Sequence, residues 1–168
     1  AAPAADTFSP RGWTKQKLYR YRILNRVPSC PFREGFVWHI KRPLDVAAMQ
    51  VALPHLIGQH DFTSFRAARC SATTPIRTIN GGRLVGADND EVHIEFEGHG
   101  FLRHHIRIMV GTLVRVGHGN FSADSVAEIR DARDRSRAGP TAPAQGLTLV
   151  QVELLDGPRE DGWSEPAV

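Results

Sequence analysis

Residues 91–97, EVHIEFE, alternate polar and apolar side chains without a break. Val92, Ile94 and Phe96 fall on one side of this pattern, and three glutamates and a histidine fall on the other. Because successive side chains of a strand point to opposite faces, the stretch predicts a β-strand with one buried face and one face in water. A sheet of such strands needs a covering layer on its apolar face only.

Seven elements are predicted along the chain, and their order indicates the fold class. Strands are expected over 17–24, in two runs within 75–98 and over 147–155; helices are expected within 43–58, from Phe101 to about Val116, and from near Ser122. In the first helix, Asp45 is the expected N-cap and Pro54 should shorten the last turn. The order β, α, β, β, α, α, β lacks the regular alternation of a parallel sheet. The predicted class is therefore α+β, an antiparallel or mixed sheet with helices packed on one face.

Composition and motifs exclude several kinds of protein. The 168 residues are 41% apolar, which suits one globular domain, and no apolar run approaches the roughly 18 residues of a membrane span. No P-loop, G-x-S-x-G or G-x-G-x-x-G motif supports an NTPase, hydrolase or dinucleotide-binding function. Cys30 and Cys70 lack C-x-x-C spacing and indicate a reducing cytoplasm rather than a disulfide scaffold. His104 and His105 point about 100° apart on the predicted helix, so no metal site is predicted.

Charge is distributed unevenly along the chain. Residues 11–42 hold nine Lys or Arg against one acid, a balance of +8, whereas residues 120–168 hold five Arg against nine acids, a balance of −4. Such asymmetry favours a polyanion on one face, most simply a nucleic acid. A solvated basic surface without a specific ligand explains the charge count equally well.

The second predicted helix carries a cation among apolar residues. Arg107 stands between Ile106 and Ile108, and no acid lies three or four residues away. Arg103, Arg107 and Gly111 are spaced to share one face of a helix, where the small Gly111 would leave room beside the arginine stem. A buried guanidinium needs an anionic partner. That partner is expected on another segment, another chain or a phosphate, with a core salt bridge to a distant acid as the alternative.

Several motifs together resemble one family. They are KLYRYRIL, PLDVAAMQVALPHLIGQHDFTSFRAARC, TPIRTI, EGHGFLRHHIRIMVGTLVRVGHG and DRSRAGPTAPAQGLTLVQVEL. In order and spacing they resemble the C-terminal half of the TruA-type tRNA pseudouridine synthases. The resemblance covers roughly Phe8 to Leu155, and HDFTSFR, RIMVGTLVRVG and AGPTAPAQGL are its most distinctive parts.

The resemblance implies a chemistry. Such enzymes isomerise uridine to pseudouridine in the tRNA anticodon arm, at positions 38 to 40, without cofactor or metal, and they are cytoplasmic homodimers. Their nucleophile is an aspartate in an Arg-Thr-Asp-Ala-Gly motif of the N-terminal half. A tyrosine packs against the target base and an arginine pairs with the aspartate. By motif, these two residues are Tyr19 and Arg107 here.

The sequence departs from the family at the nucleophile. None of its ten aspartates lies in Arg-Thr-Asp-Ala-Gly or a similar motif. We therefore expect residues 8–156 to be the C-terminal domain, preceded by a flexible segment over 1–7 and followed by a polar tail over 157–168. The partner expected for it is the missing N-terminal half, and the chain alone should be inactive.

Residues that contact RNA are predicted mainly near Tyr19. Lys15, Lys17, Arg20 and Arg22 are the candidate phosphate contacts around this aromatic residue, an arrangement that suits base stacking with phosphate neutralisation. Weaker RNA-binding candidates are Arg66, Arg103 and His104, while Phe62 and Phe65 are expected in the core. Two alternatives stay open: a non-catalytic RNA-binding or assembly protein with the synthase fold, and a plain α+β domain whose charge serves solubility.

Overall fold

The sheet of this domain has six strands in the part of the chain that is described. The computed structural model describes residues 12–87 and 90–155. The strands are β1 Thr14–Asn25, β2 Trp38–Ile40, β3 Gly58–Asp61, β4 Ile76–Ala87, β5 Glu91–Gly98 and β6 Leu147–Leu154. Their order is β2-β1-β5-β4-β3, and β6 also pairs with β1. Only the β1–β2 pair is parallel, so the sheet is mixed, as predicted.

Three α-helices lie on one face of this sheet, which confirms the α+β class. They are α1 Val46–Ala52, α2 His105–Gly117 and α3 Ser125–Asp131. Asp45 is the N-cap of α1 as predicted, since its Oδ1 accepts a hydrogen bond from the amide of Ala48 at 2.9 Å. The α-helix ends at Ala52, and Pro54 lies in the 3-10 turn that follows. The short strand β3 comes next and was not among the predicted elements.

Strand β5 confirms the alternating pattern and corrects one part of its interpretation. Val92, Ile94 and Phe96 are buried in the core between sheet and helices. On the other face, however, Glu91 and Glu95 are also buried, at 5% and 3% exposure. Arginines from neighbouring segments cover the carboxylates of these two glutamates, which are therefore shielded from water although they lie on the polar face.

Helix α2 begins four residues later than the sequence suggested. His104 has φ 59°, in the left-handed region, and His105 is the first helical residue. The preceding segment binds a neighbouring loop instead of forming a helical turn. Arg103 donates its amide to Cys70 Sγ and accepts from the amide of Ala67. The expectation that Arg103 lies on one helix face with Arg107 is therefore wrong, and so is the placement of His104 within the helix. The two histidine side chains still lie in different surroundings, since His104 is exposed and His105 is buried.

Several predicted features fall outside the described residues. These are the segment 1–7, the tail 157–168 and residues 88–89 between the two strands predicted within 75–98. Within 12–87 and 90–155, no helix has both the length and the apolar character needed to cross a lipid bilayer.

Candidate active site

Tyr19 lies in the middle of β1, paired with Phe96 of β5 and Leu149 of β6. Its half-buried ring contacts Phe101 edge-on, with 5.2 Å between the ring centroids and 82° between the planes. Burial raises the pKa of the Tyr19 hydroxyl, so it stays protonated at neutral pH. The tyrosine therefore presents a neutral aromatic surface, held from one side by Phe101.

Tyr21, two residues along the same face, anchors the loop 138–146 to the sheet. It is fully buried, and its hydroxyl donates to the carbonyl of Pro143 at 2.6 Å. A side chain at Gly146 would lie 2.7 Å from the Tyr21 ring, so only glycine allows this approach. Burial raises the pKa of Tyr21, and the nearby charge of Arg107 opposes that rise. Arg107 is therefore near enough to Tyr21 for its charge to act on the tyrosine hydroxyl.

Arg107 is the third residue of α2 and is held by a main-chain carbonyl. Its Nε donates to the carbonyl of Ala142 at 2.6 Å, and the amide of Ala142 donates back to the carbonyl of Arg107 at 3.0 Å. Within residues 12–87 and 90–155, no carboxylate lies within 4.0 Å of this guanidinium. The core salt bridge considered from the sequence is therefore not formed there. Since Nε is engaged, the two terminal nitrogens are left to bind an anion end-on.

The carbonyl that holds Arg107 is fixed by close backbone packing between α2 and the loop. A Cβ added to Gly111 would lie 1.8 Å from the carbonyl oxygen of Pro140, so the space beside Arg107 is filled by the loop and not by the arginine stem. The hydroxyl of Thr112 accepts from the amide of Gly139 at 2.9 Å. The RIMVG and AGPTAPAQG motifs are thus one structural unit that positions the guanidinium.

The basic residues predicted around Tyr19 are placed differently. Arg20 bonds Glu95 at 2.6 Å and Arg22 bonds Glu91 at 3.0 Å, both on the face opposite the helices. Burial alone would raise the pKa of Glu91, but hydrogen bonds from Arg22 and its neighbours outweigh burial, so that pKa lies below its usual value. The structure does not bring Arg20 and Arg22 onto the face of Tyr19.

The two predicted lysines are at the beginning of the same strand. Lys15 bonds Glu153 of β6 at 2.6 Å. Lys17 lies opposite Gly98 of β5 and Val152 of β6. Their contact with RNA stays a prediction, as does that of the two arginines.

The weaker candidates lie together at the start of α2. Arg66 donates from Nη2 to the carbonyls of Cys70 and Ala72, both at 2.7 Å. Arg103 is exposed and reaches the carbonyl of Arg69 at 3.4 Å. His104 is exposed as well; burial, followed by the charges of Arg107 and Arg103, lowers its pKa. The structure therefore joins these three predicted residues in one basic region.

Two residues of this region were not singled out from the sequence. Arg77 donates from Nη1 to the carbonyls of Thr74 and Ile76, at 2.9 and 2.6 Å. Its only sequence signal is its place in the TPIRTI motif.

His105 is the second residue that was missed. It is 1% exposed, and its ring packs 4.4 Å from that of Phe62 and 5.9 Å from that of Phe101. Its two ring nitrogens have no hydrogen-bond partner among the described residues. Burial, with a further contribution from Arg77, lowers the pKa of His105 to about 3. The ring is therefore neutral at physiological pH and links the core to the Phe101–Tyr19 contact.

The HDFTSFR motif has a structural explanation. Asp61 accepts from the amide and hydroxyl of Thr63, Ser64 bonds the carbonyl of Ile129, and Phe62 and Phe65 are fully buried in the core as predicted. Among residues 12–87 and 90–155, no group of His, Cys, Asp and Glu side chains is arranged to hold a metal ion.

Comparison with known proteins identifies the family. A family model described as tRNA pseudouridine synthase matches residues 52–153. The chain belongs to the tRNA pseudouridine synthase family. The match includes α2 with Arg107, the loop 138–146 and most of β6, whereas Tyr19 precedes it.

Individual relatives within the tRNA pseudouridine synthase family agree with this assignment. A protein named tRNA pseudouridine synthase A from Acidiphilium cryptum is 53% identical over 154 residues, which are 90% of this chain and 60% of the relative. A protein of the same name from Myxococcus xanthus is 46% identical over 158 residues, 94% of this chain and 60% of the relative. The chain thus spans about 60% of the length of these synthases.

Proposed function

We propose that this chain supplies the C-terminal half of an enzyme that isomerises uridine to pseudouridine in the tRNA anticodon arm, at positions 38 to 40. Membership of the synthase family and the names of the relatives support this activity. The observation that carries the proposal is the guanidinium of Arg107. It is fixed through Nε to the carbonyl of Ala142, with no carboxylate beside it in the described part of the chain.

In the proposed site, Arg107 binds a carboxylate from a segment outside these 168 residues. That carboxylate belongs to the nucleophilic aspartate of the missing N-terminal half. An end-on pair with the two terminal nitrogens orients the aspartate and keeps it ionised, since a neighbouring cation lowers a carboxyl pKa. The hydrogen bond to Ala142 holds the guanidinium in place before the aspartate arrives.

The reaction rearranges the substrate without changing its composition. The target uridine leaves its stack to enter the site. The bond from C1′ to N1 breaks, the uracil turns within the pocket, and C1′ bonds to C5. The proton on C5 is lost and N1 becomes an N–H group, so no cofactor, metal or redox partner is required. Tyr19 packs against the uracil, supported from behind by Phe101.

The proposed protein has further parts and partners. Residues 8–156 form the C-terminal domain, with a linker over 1–7 and a tail over 157–168. The N-terminal half supplies the aspartate, two copies form a homodimer, and tRNA is the substrate in the cytoplasm. The 168 residues alone are inactive because they lack the nucleophile.

The test compares the complete synthase, including its N-terminal half, with the 168-residue chain and with variants at the two site residues. Pseudouridine is mapped in a tRNA transcript, and tRNA binding is measured in parallel. We expect product at positions 38 to 40 for the complete protein and none for the chain alone. Arg107→Ala should abolish product while reducing tRNA binding much less, and Tyr19→Leu should reduce the rate.

Other outcomes decide against specific parts of the proposal. Near-normal product from Arg107→Ala would remove Arg107 from the site. Salt-dependent tRNA binding without product from the complete protein would favour a non-catalytic RNA-binding protein. A lack of any salt-dependent tRNA binding would leave an α+β domain whose charge serves solubility.

A further inference from the structure

Three arginines near the start of α2 donate mainly to main-chain carbonyls, and Arg66 also bonds the Cys70 side chain. The acceptors are those of Cys70 and Ala72 for Arg66, of Thr74 and Ile76 for Arg77, and of Arg69 for Arg103. In residues 12–87 and 90–155, none of these three guanidiniums lies within 4.0 Å of a carboxylate. Each has five N–H donors, of which the carbonyls occupy a minority. The guanidiniums are therefore positioned while their charges remain uncompensated by an acid.

The three arginines, called here the arginine cluster, share one small region. Arg103 donates its amide to Cys70 Sγ at 3.4 Å, which joins it to the loop that Arg66 closes. The charge of Arg66 also acts on Arg77: after burial and against the opposing effect of Cys70, it lowers the Arg77 pKa. Like charges repel, and a bound anion would relieve the repulsion between these two guanidiniums.

Helix α2 adds to the positive electrostatic potential of the arginine cluster. Its first residue, His105, follows Arg103 by two positions, and no side chain caps its first turn. The positive end of a 13-residue helix therefore lies beside the cluster. This contribution is secondary, because the arginines alone supply three full charges.

The cluster is next to the proposed base-binding residue. The Arg77 side chain is 3.8 Å from the position that a Cβ on Gly100 would occupy. The following residue, Phe101, packs against the Tyr19 ring. Residues 100–103 thus link Arg77, which lies beside Gly100, and Arg103 to Tyr19, which Phe101 contacts. A strand whose base lies against Tyr19 would pass its adjacent phosphates over this segment.

We propose that Arg66, Arg77 and Arg103 form a binding site for the RNA phosphates next to the target nucleotide. The inference rests on the proposed function, since it takes RNA as the substrate. The proposed contacts are to the backbone, because phosphate oxygens are the most frequent partners of arginine in nucleic-acid interfaces and position the strand without reading its sequence. Its contribution is to affinity and to the path of the strand.

The test measures tRNA binding to the complete synthase across a series of KCl concentrations. Arg66→Gln, Arg77→Gln and Arg103→Gln are compared singly and together with the wild type. Each lost phosphate contact should reduce the slope of log affinity against log salt by about 1. Affinity at fixed salt should fall about three- to tenfold per arginine, as for loss of a charge-assisted hydrogen bond.

Arg83→Gln is the matched control. Arg83 has a 66% exposed side chain and is paired with Glu95 on the opposite face, so its loss should leave the salt slope unchanged. Arg103→Gln is the decisive single variant, because Arg103 is exposed and its one side-chain bond is long, so the fold does not depend on it. Thermal unfolding of each variant verifies folding.

An unchanged salt slope in folded Arg103→Gln and in the triple variant would overturn the inference. If the wild type forms no pseudouridine but the variants lose salt slope as expected, the proposed activity fails and the phosphate site stands. If the wild type is active and the variants bind tRNA as it does, the site fails and the activity stands.

Discussion

The arginines on the two sides of this domain have different partners. On the face opposite the helices, Arg20 and Arg22 of β1 bond Glu95 and Glu91, which are almost fully buried. At the start of α2, the arginine cluster and Arg107 bond backbone carbonyls. A carboxylate cancels the charge of a guanidinium, whereas a carbonyl orients it and leaves the charge available. The comparison is the basis for proposing that the first group stabilises the sheet and that the second binds anions.

The largest expected effect on stability comes from disturbing the loop that holds Arg107. Gly111→Ala would place a methyl group 1.8 Å from the carbonyl of Pro140, so the loop that carries Ala142 must move. We expect a loss of about 3 kcal/mol in the free energy of unfolding, measured with urea. Gly86→Ala is the control, since nothing lies within 4 Å of its added Cβ. Equal stability of the two variants would show that α2 does not depend on the close packing.

The two sides of the domain should lose stability at different pH values as the solution is acidified. His105 titrates near 6.5 when unfolded and at about 3 when folded, so the unfolded state binds the extra proton between these values. Stability is therefore complete above pH 6.5 and falls as pH drops, by about 2–3 kcal/mol at pH 4.5. His104 and His118 shift in the same direction but are much less buried.

The carboxylates respond at lower pH. The pKa values of Glu91 and Glu95 lie below their usual 4.5, so their contribution is complete above that value and is lost as pH falls through the folded-state pKa. Urea unfolding of the wild type and of His105→Leu between pH 7 and 4.5 distinguishes the contribution of His105 from that of the two glutamates. The variant should lose most of the pH dependence in that window. A slope equal to that of the wild type would rule out His105 as its source.

The ion-paired side is tested by removing a buried carboxylate. Glu95→Gln removes the charge that Arg20 and Arg83 share. Both arginines retain access to water, so the expected loss is about 1–2 kcal/mol in unfolding free energy, less than for a fully buried pair. Affinity for tRNA should not decrease. A decrease would mean that the acidic face belongs to the RNA-binding surface.

The smallest expected effect is that of Arg20→Gln on tRNA binding. Because Glu95 neutralises Arg20, we expect the affinity to change less than about twofold, in contrast to the larger loss for Arg103→Gln. Filter binding at fixed salt measures both. A loss for Arg20→Gln as large as for Arg103→Gln would remove the distinction between the two groups and restore the sequence-based prediction for β1.

The fold could be predicted from the sequence because its signals are local. Alternation in β5, the Asp45 cap and Pro54 each act within a few residues, and all three are present in the structure. The start of α2 was misplaced because it depends on bonds from Arg103 to Cys70 and Ala67, more than 30 residues away. No periodicity in the helix itself carries that information.

The candidate site was only partly predictable for the same reason. The motif around Arg107 indicated an arginine that needs a partner, and the structure leaves its terminal nitrogens available in the described chain. The charge count over 11–42 drew attention to Arg20 and Arg22, but their glutamates lie about 70 residues later, on β5. Arg77 and His105 stand in family motifs, but nothing in those motifs indicates their roles, which arise from packing between distant segments.

The central claim is that Arg107 is held ready for a carboxylate from outside the described residues. It is tested most directly by the rate of pseudouridine formation at saturating tRNA, measured for Arg107→Gln and Arg22→Gln in the complete synthase. We predict a loss of about 10³-fold or more for Arg107→Gln, with tRNA binding largely kept, and a near-normal rate for Arg22→Gln. A wild-type rate for Arg107→Gln, or equal losses in the two variants, would contradict the account.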